Sequence, residues 1–113
     1  MTMPAYNSFQ LYKGDTLRFS LTLQNSGSAF IIPDGTVFSG AVKEKNASSI
    51  TAQFDSDILS ASSGKVLFTL DSLNSSLLTA NKNWSYDVQM QDSASIVTTL
   101  LTGSIFVTDE VTS

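Results

Sequence analysis

The chain has no cysteine and no histidine, only two prolines, and few charged side chains, which make up 14% of its 113 residues. Without cysteine there are no disulfides and no thiolate metal sites. Without cysteine or histidine the usual nucleophile–base pairs of covalent catalysis are missing, so the chain is not expected to be an enzyme. Basic residues are scarce as well: Lys13, Arg18, Lys43, Lys45, Lys65 and Lys82 stand against ten Asp and Glu, for a net charge of -4. They are scattered, whereas nucleic acid requires a basic face that neutralises phosphates, so no nucleic-acid partner is expected. No apolar run approaches the roughly 20 residues of a membrane-spanning helix, and no membrane association is expected. The opening "MTMPAYNSFQ" lacks the basic and apolar regions of a signal peptide, which implies synthesis in the cytosol.

What the chain has instead is hydroxyl groups. Ser and Thr number 31, more than a quarter of the residues, beside 42% apolar residues that include seven Phe. Thr favours strands and Ser favours turns, and this apolar fraction is enough to bury a core. The length is that of one domain.

Period-two alternation dominates. In "DTLRFSLTLQ" (15–24), Leu17, Phe19, Leu21 and Leu23 alternate with polar residues, the mark of a strand with one dry face. Gly14 in the preceding "YKGD" predicts a bend, which makes Phe9–Tyr12 a separate short edge strand. "NSGS" (25–28) and "PDG" (33–35) are turn chemistry, with Ile31 and Ile32 as a pinning contact between them. Phe38, Gly40 and Val42 share a face in "TVFSGAVKE"; Ile50 and Phe54 are the apolar positions of "ITAQFD"; Val66, Phe68 and Leu70 point inward in "KVLFTL". "DSLNSSLLTANKN" breaks the pattern, with Leu73, Leu77 and Leu78 at helical spacing and Asp71 or Ser72 as a cap, so one helical turn is predicted. Finally Trp84, Tyr86, Val88 and Met90 face one way, "DSAS" (92–95) turns the chain, and Leu101, Gly103, Ile105 and Val107 carry the return strand. Ile96, Leu100 and Phe106 fall in the opposite phase, which predicts a bulge between Leu100 and Gly103. About seven short strands with one helical turn predict an all-β fold, an immunoglobulin-like antiparallel β-sandwich over 11–113, preceded by an N-terminal arm over 1–10.

Little in this pattern carries chemistry. Asp55 and Asp57 form the densest acidic pair before the C-terminus, but calcium requires six to eight oxygens from several ligands, and a lone D-x-D in a Ser-rich segment is a solvated turn. Asp109-Glu110 is read as an exposed tail. Gly14 and Gly64 follow no phosphate-loop spacing. No metal or cofactor is expected. Trp84 with Tyr86 offers a sugar-stacking platform, though their phase with Val88 and Met90 favours the core. The sequons at Asn46, Asn74 and Asn83 are chance products of a Ser- and Thr-rich chain.

The motifs also resemble a family. "LYKGDTLRFSLTLQNSG", then "PDGTVFSGAVKEK", then "SSGKVLFTLDSLNSSLLTANKNWSYDVQMQD", and last "VTTLLTGSIFVTDEVT" are similar, in that order, to small tailed-phage immunoglobulin-like domains such as the N-terminal domain of the baseplate upper protein. The resemblance implies a non-enzymatic structural protein of a virion, in the tail, baseplate or fibre-attachment region. Its partners would be other virion proteins or copies of itself. A capsid-decorating cement protein and a carbohydrate-binding module are the alternatives. A docking role places the interface at Tyr6, Phe9, Gln10 and Tyr12, because the expected edges Phe9–Tyr12 and Ile50–Phe54 lack the Lys and Pro that natural proteins use to blunt an edge.

Overall fold

The computed structural model describes residues 5–25, 28–45 and 49–109. In chain order the elements are β1 (Ala5–Tyr12), β2 (Leu17–Thr22), the two-residue β3 (Gln24–Asn25) and β4 (Ser28–Ala29), β5 (Val37–Lys43), β6 (Ala52–Ser60), β7 (Lys65–Leu70), α1 (Ser72–Ser75), β8 (Lys82–Gln91) and β9 (Val97–Thr108). Seven strands form a continuous ladder, β1-β9-β8-β5-β6-β7-β2, and β3 pairs with β4 separately.

The ladder becomes a sandwich at β6. Ala52–Phe54 pair with β5, whereas Asp55–Ser60 pair with β7, so one strand serves both layers. Alternation along each strand then turns one face of each layer inward. From the β1-β9-β8-β5 layer come Leu11, Ile105, Val107, Trp84, Tyr86, Val88, Phe38 and Val42, and from the other Val66, Phe68 and Leu70. Aromatic rings knit the layers: Phe19 of β2 stacks on Phe9 of β1 at 5.1 Å, and Phe38 of β5 meets Phe68 of β7 edge-on at 6.2 Å. Trp84, Tyr86 and Phe68 are core residues, as their phase predicts. Trp84 also donates its indole N–H to the Thr79 carbonyl at 3.1 Å, which ties the α1–β8 connection to the start of β8.

The predicted bulge is present. Val88 pairs with Leu101 and Gln89 with Thr99, so Leu100 is the extra residue, and the kink lets it stay buried beside Leu101. The helical turn is present too, capped by Asp71, whose carboxylate accepts from the Asn74 N–H at 2.8 Å. Those bonds hold the Asp71 carboxyl below its usual range.

Several expectations need correction. β1 begins at Ala5, so residues 5–10 belong to the sheet rather than to a loose arm; residues 1–4 lie outside the described residues. β1 also runs parallel to β9, in an otherwise antiparallel sandwich. Ile50–Phe54 is an edge only locally: Ala52–Phe54 pair with β5 alone, and on their other side the Gln53 N–H is capped by the Asn74 side chain at 3.1 Å rather than left open. The second edge is β2. Leu73 and Leu77 are exposed, and only Leu78 is buried, because a single helical turn is too short to present an apolar stripe. The inward residue of α1 is instead Ser75, whose hydroxyl accepts from the Gly14 N–H at 2.8 Å. Asp55 and Asp57 are strand residues of β6, not a turn. Ile31 and Ile50 are exposed, while Ile32 alone does the pinning.

Candidate functional site

β1 is held from below by a latch built on three strands. Gly103 of β9 lies opposite Asn7 of β1 and next to Tyr86 of β8. A side chain at 103 would collide with the Asn7 carbonyl oxygen and come within 2.8 Å of the carbonyl carbon. Only glycine lets the β1 backbone approach this closely. The Tyr86 hydroxyl rises beside Gly103 and donates to the Asn7 carbonyl at 2.7 Å. Burial of the phenol pushes its pKa up to about 12, with a smaller contribution from Tyr6. Farther along β1, Phe9 stacks on Phe19 and Leu11 is buried.

The opposite side of β1 is open. Successive residues of a strand direct their N–H and C=O groups to alternate sides. The Asn7 carbonyl points to Gly103 and Tyr86, and the Lys13 N–H donates to the Thr108 carbonyl at 2.8 Å, so odd-numbered residues bond toward β9. The backbone groups of Tyr6, Ser8 and Gln10 therefore face away from it, and no strand among the described residues pairs with them.

The side chains of those even-numbered residues lie on the outer face. Register places Tyr6 beside Thr102, Asp87 and Ala41 in one row, and Ser8 beside Ser104, Ser85 and Lys43 in the next. Tyr6 is 71% exposed and Tyr12 46%. The hydroxyls of Ser8 and then Ser104 beside Tyr6 hold its phenol below the usual tyrosine range. Toward β5 this face sinks into a shallow depression of about 520 Å³, lined by Ser39, Lys43, Gln53, Ser85, Asp87 and Thr102 among others. It offers amides and hydroxyls and one charge of each sign, with no nucleophile–base pair.

Of the four predicted interface residues, Tyr6, Gln10 and Tyr12 share this outer face. Phe9 does not; its side chain is half-buried in the core. Asp55 and Asp57 stand on one face of β6, and no group of three metal-ligating residues occurs among the described residues. Glu110 and Asn46 lie outside the described residues. Trp84 and Tyr86, each only 2% exposed, offer no platform to a sugar. Among the described residues no helix is long and apolar enough to cross a membrane.

A second surface escapes the alternation rule. Ile31, Val37, Ile58, Leu59, Ile96 and Val97 are all exposed, and all lie at the end of the sandwich where β5, β7 and β9 begin. Val37 and Val97 flank Gln91 from either side. The loops beneath them interlock, since Ile32 N–H donates to the Ala61 carbonyl at 2.9 Å and Gly35 packs against Ser93. The signal in the sequence was the doublet: Ile31-Ile32, Ile58-Leu59 and Ile96-Val97 each put two apolar residues in succession, so at least one of each pair faces outward, and in the last two pairs both do.

A scan against protein-family models found no match for this chain, and a search of curated proteins found none either. The resemblance to phage immunoglobulin-like domains therefore rests on the motifs quoted above.

Proposed function

We propose that this chain is a non-enzymatic structural protein of a tailed-phage virion, acting as a docking module in the tail, baseplate or fibre-attachment region. The observation that carries the docking part is the open edge of β1: eight residues without Lys, Pro or any charge, latched firmly from beneath and unpaired on the outside among the described residues. Natural sandwiches blunt such an edge, and one left intact suits strand addition by a neighbour. The hydroxyl-rich outer face beside it supports the same reading, because it accepts a partner at little desolvation cost. The phage assignment rests on the resemblance of the motifs. The burial of Trp84 and Tyr86 speaks against the carbohydrate-binding alternative in the form that used them as a platform.

The test is localisation. Labelled protein should be found by electron microscopy in purified particles, at tail or baseplate, and Ser8→Pro should reduce its incorporation. Protein absent from particles, or found on the capsid shell, would overturn the tail reading.

A further inference from the structure

The open edge of β1 has a property that a generic docking strand does not need: it is complementary to itself. In an antiparallel pair of identical strands, residues directly opposite one another have numbers that add to a constant, and side chains on one face meet only side chains of the same face. A two-fold axis at Phe9 sets Tyr6 opposite Tyr12 of the second copy, Ser8 opposite Gln10, and Phe9 opposite Phe9. The Tyr pairs form twice, on the outer face where both rings are exposed. Cross-strand aromatic pairs are among the favourable ones in sheets. The backbone parity fits as well. Tyr6, Ser8, Gln10 and Tyr12 are the residues whose N–H groups face the open edge, and in this register they form the hydrogen-bonded pairs. Phe9 then occupies the close, non-hydrogen-bonded pair at the centre. Its side chain, half-buried against Phe19, gains a cover from the ring of the second copy.

Charge points the same way. Self-pairing sets like charges close together, and β1 carries none from Ala5 to Tyr12. The same lack gives a foreign strand no charged handle by which to be selected. We propose that the occupant of the β1 edge is a second copy of this chain, joined by an antiparallel β1–β1 pair about Phe9, so that the two sandwiches share one continuous sheet. This rests on the docking reading of the edge and names its partner. A single strand pair buries less than a standard interface of about 800 Å² per partner, so in free solution the dimer is weak and concentration-dependent.

Because the chain has no cysteine, engineered thiols report the register without background. Opposed residues in a hydrogen-bonded antiparallel pair have Cα atoms about 5.5 Å apart, within disulfide reach. Position 6 lies about 20 Å from position 6 of the second copy in this register. An equimolar mixture of full-length Tyr6→Cys and Tyr12→Cys chains, mildly oxidised, should therefore give a covalent dimer, and each chain alone should give at most about a tenth as much. Both substitutions are at exposed positions, so the fold is preserved. Sedimentation of the wild-type chain should show a monomer–dimer equilibrium. Ser8→Pro removes an N–H that faces the edge, and should raise its dissociation constant by about tenfold or more. The proposal is overturned if the mixture cross-links no better than the single variants, if Ser8→Cys alone cross-links instead (a two-fold axis at Ser8), or if the wild-type chain stays monomeric across the concentration range. A chain that fails these tests, yet whose Ser8→Pro variant no longer enters particles, docks a different protein at this edge; the docking reading then survives without self-pairing.

Discussion

Replacing Gly103 by Ala should undo β1 rather than be absorbed. A Cβ at 103 is aimed at the Asn7 carbonyl, 2.8 Å from its carbon and 3.1 Å from the Tyr86 ring. β9 is held between β1 and β8, while among the described residues β1 pairs with β9 alone, so β1 is the strand that gives way. Its departure forfeits the Tyr86–Asn7 hydrogen bond, about 1 kcal/mol net, and the burial of Leu11, about 2 kcal/mol. The Phe9–Phe19 stack contributes roughly another 1 kcal/mol. The expected loss is therefore about 3–5 kcal/mol, or a fall in melting temperature of about 12–20 °C for a domain of this size. Thermal denaturation by circular dichroism measures the total, and amide exchange locates it: protection should vanish over Ala5–Tyr12 and persist in β7 and β8. Elsewhere in a strand, glycine to alanine is stabilising by about 0.5–1 kcal/mol, so even the sign is diagnostic. A variant that melts at or above the wild-type temperature, with β1 amides still protected, would refute the latch.

Trp84→Ala should cost about 3–5 kcal/mol in denaturant unfolding, because it opens a cavity beneath an almost fully buried indole and leaves the Thr79 carbonyl without its donor. Gly64→Ala should destabilise by more than about 1 kcal/mol, since position 64 has φ +69° and its Cβ would lie 2.5 Å from the Phe30 carbonyl oxygen. Tyr86 has a pKa raised from about 10 to about 12 by folding, so its contribution is whole below pH 10 and drains away as pH rises toward 12, by about 2 kcal/mol. Tyr86→Phe should flatten that part of the stability profile, and an unchanged alkaline slope would count against the buried hydroxyl. A chelator should leave the melting temperature unmoved, because Asp55 and Asp57 lack further ligands among the described residues.

Alternation made the sandwich legible. Wherever one face of a strand meets the core, as in β5, β7 and β8, the inward residues stand out at every second position and the structure buries them. The Leu100 bulge was legible for the same reason, as a break in phase. Legibility fails where burial is not decided by a face. β1 reads as "AYNSFQLY", with polar Asn7 in phase with Phe9 and Leu11, because the strand is fastened there through the Asn7 backbone carbonyl, on Gly103 and the Tyr86 hydroxyl, while the Asn7 side chain stays exposed. The leucines near α1 carried a helical spacing that one turn cannot use. The pairing of β6 with both layers is a matter of topology, and no local pattern encodes it. The face shared by the expected interface residues was partly legible: Tyr6, Gln10 and Tyr12 do stand together on the outer face, whereas parity turns the Phe9 side chain toward Phe19.

That parity is also what makes β1 serviceable as an edge. A terminal strand in parallel pairing is weakly held, slightly more so than an antiparallel one, and a strand that frays is a poor template for another chain. Here the odd-numbered residues fasten the strand, through Asn7 to the Tyr86 hydroxyl, Phe9 to Phe19, and Leu11 in the core, while the backbone groups of the even-numbered Tyr6, Ser8 and Gln10 face outward. The two sets are physically separate, so on the proposed docking reading an outward substitution at Ser8 or Gln10 should change docking without unfolding the domain. They are still mechanically joined, because both hang on one backbone. If β1 docks as proposed, loosening the inner set at Gly103 or Tyr86 should therefore weaken incorporation into particles as well as stability, although both residues lie on the inner side of the strand.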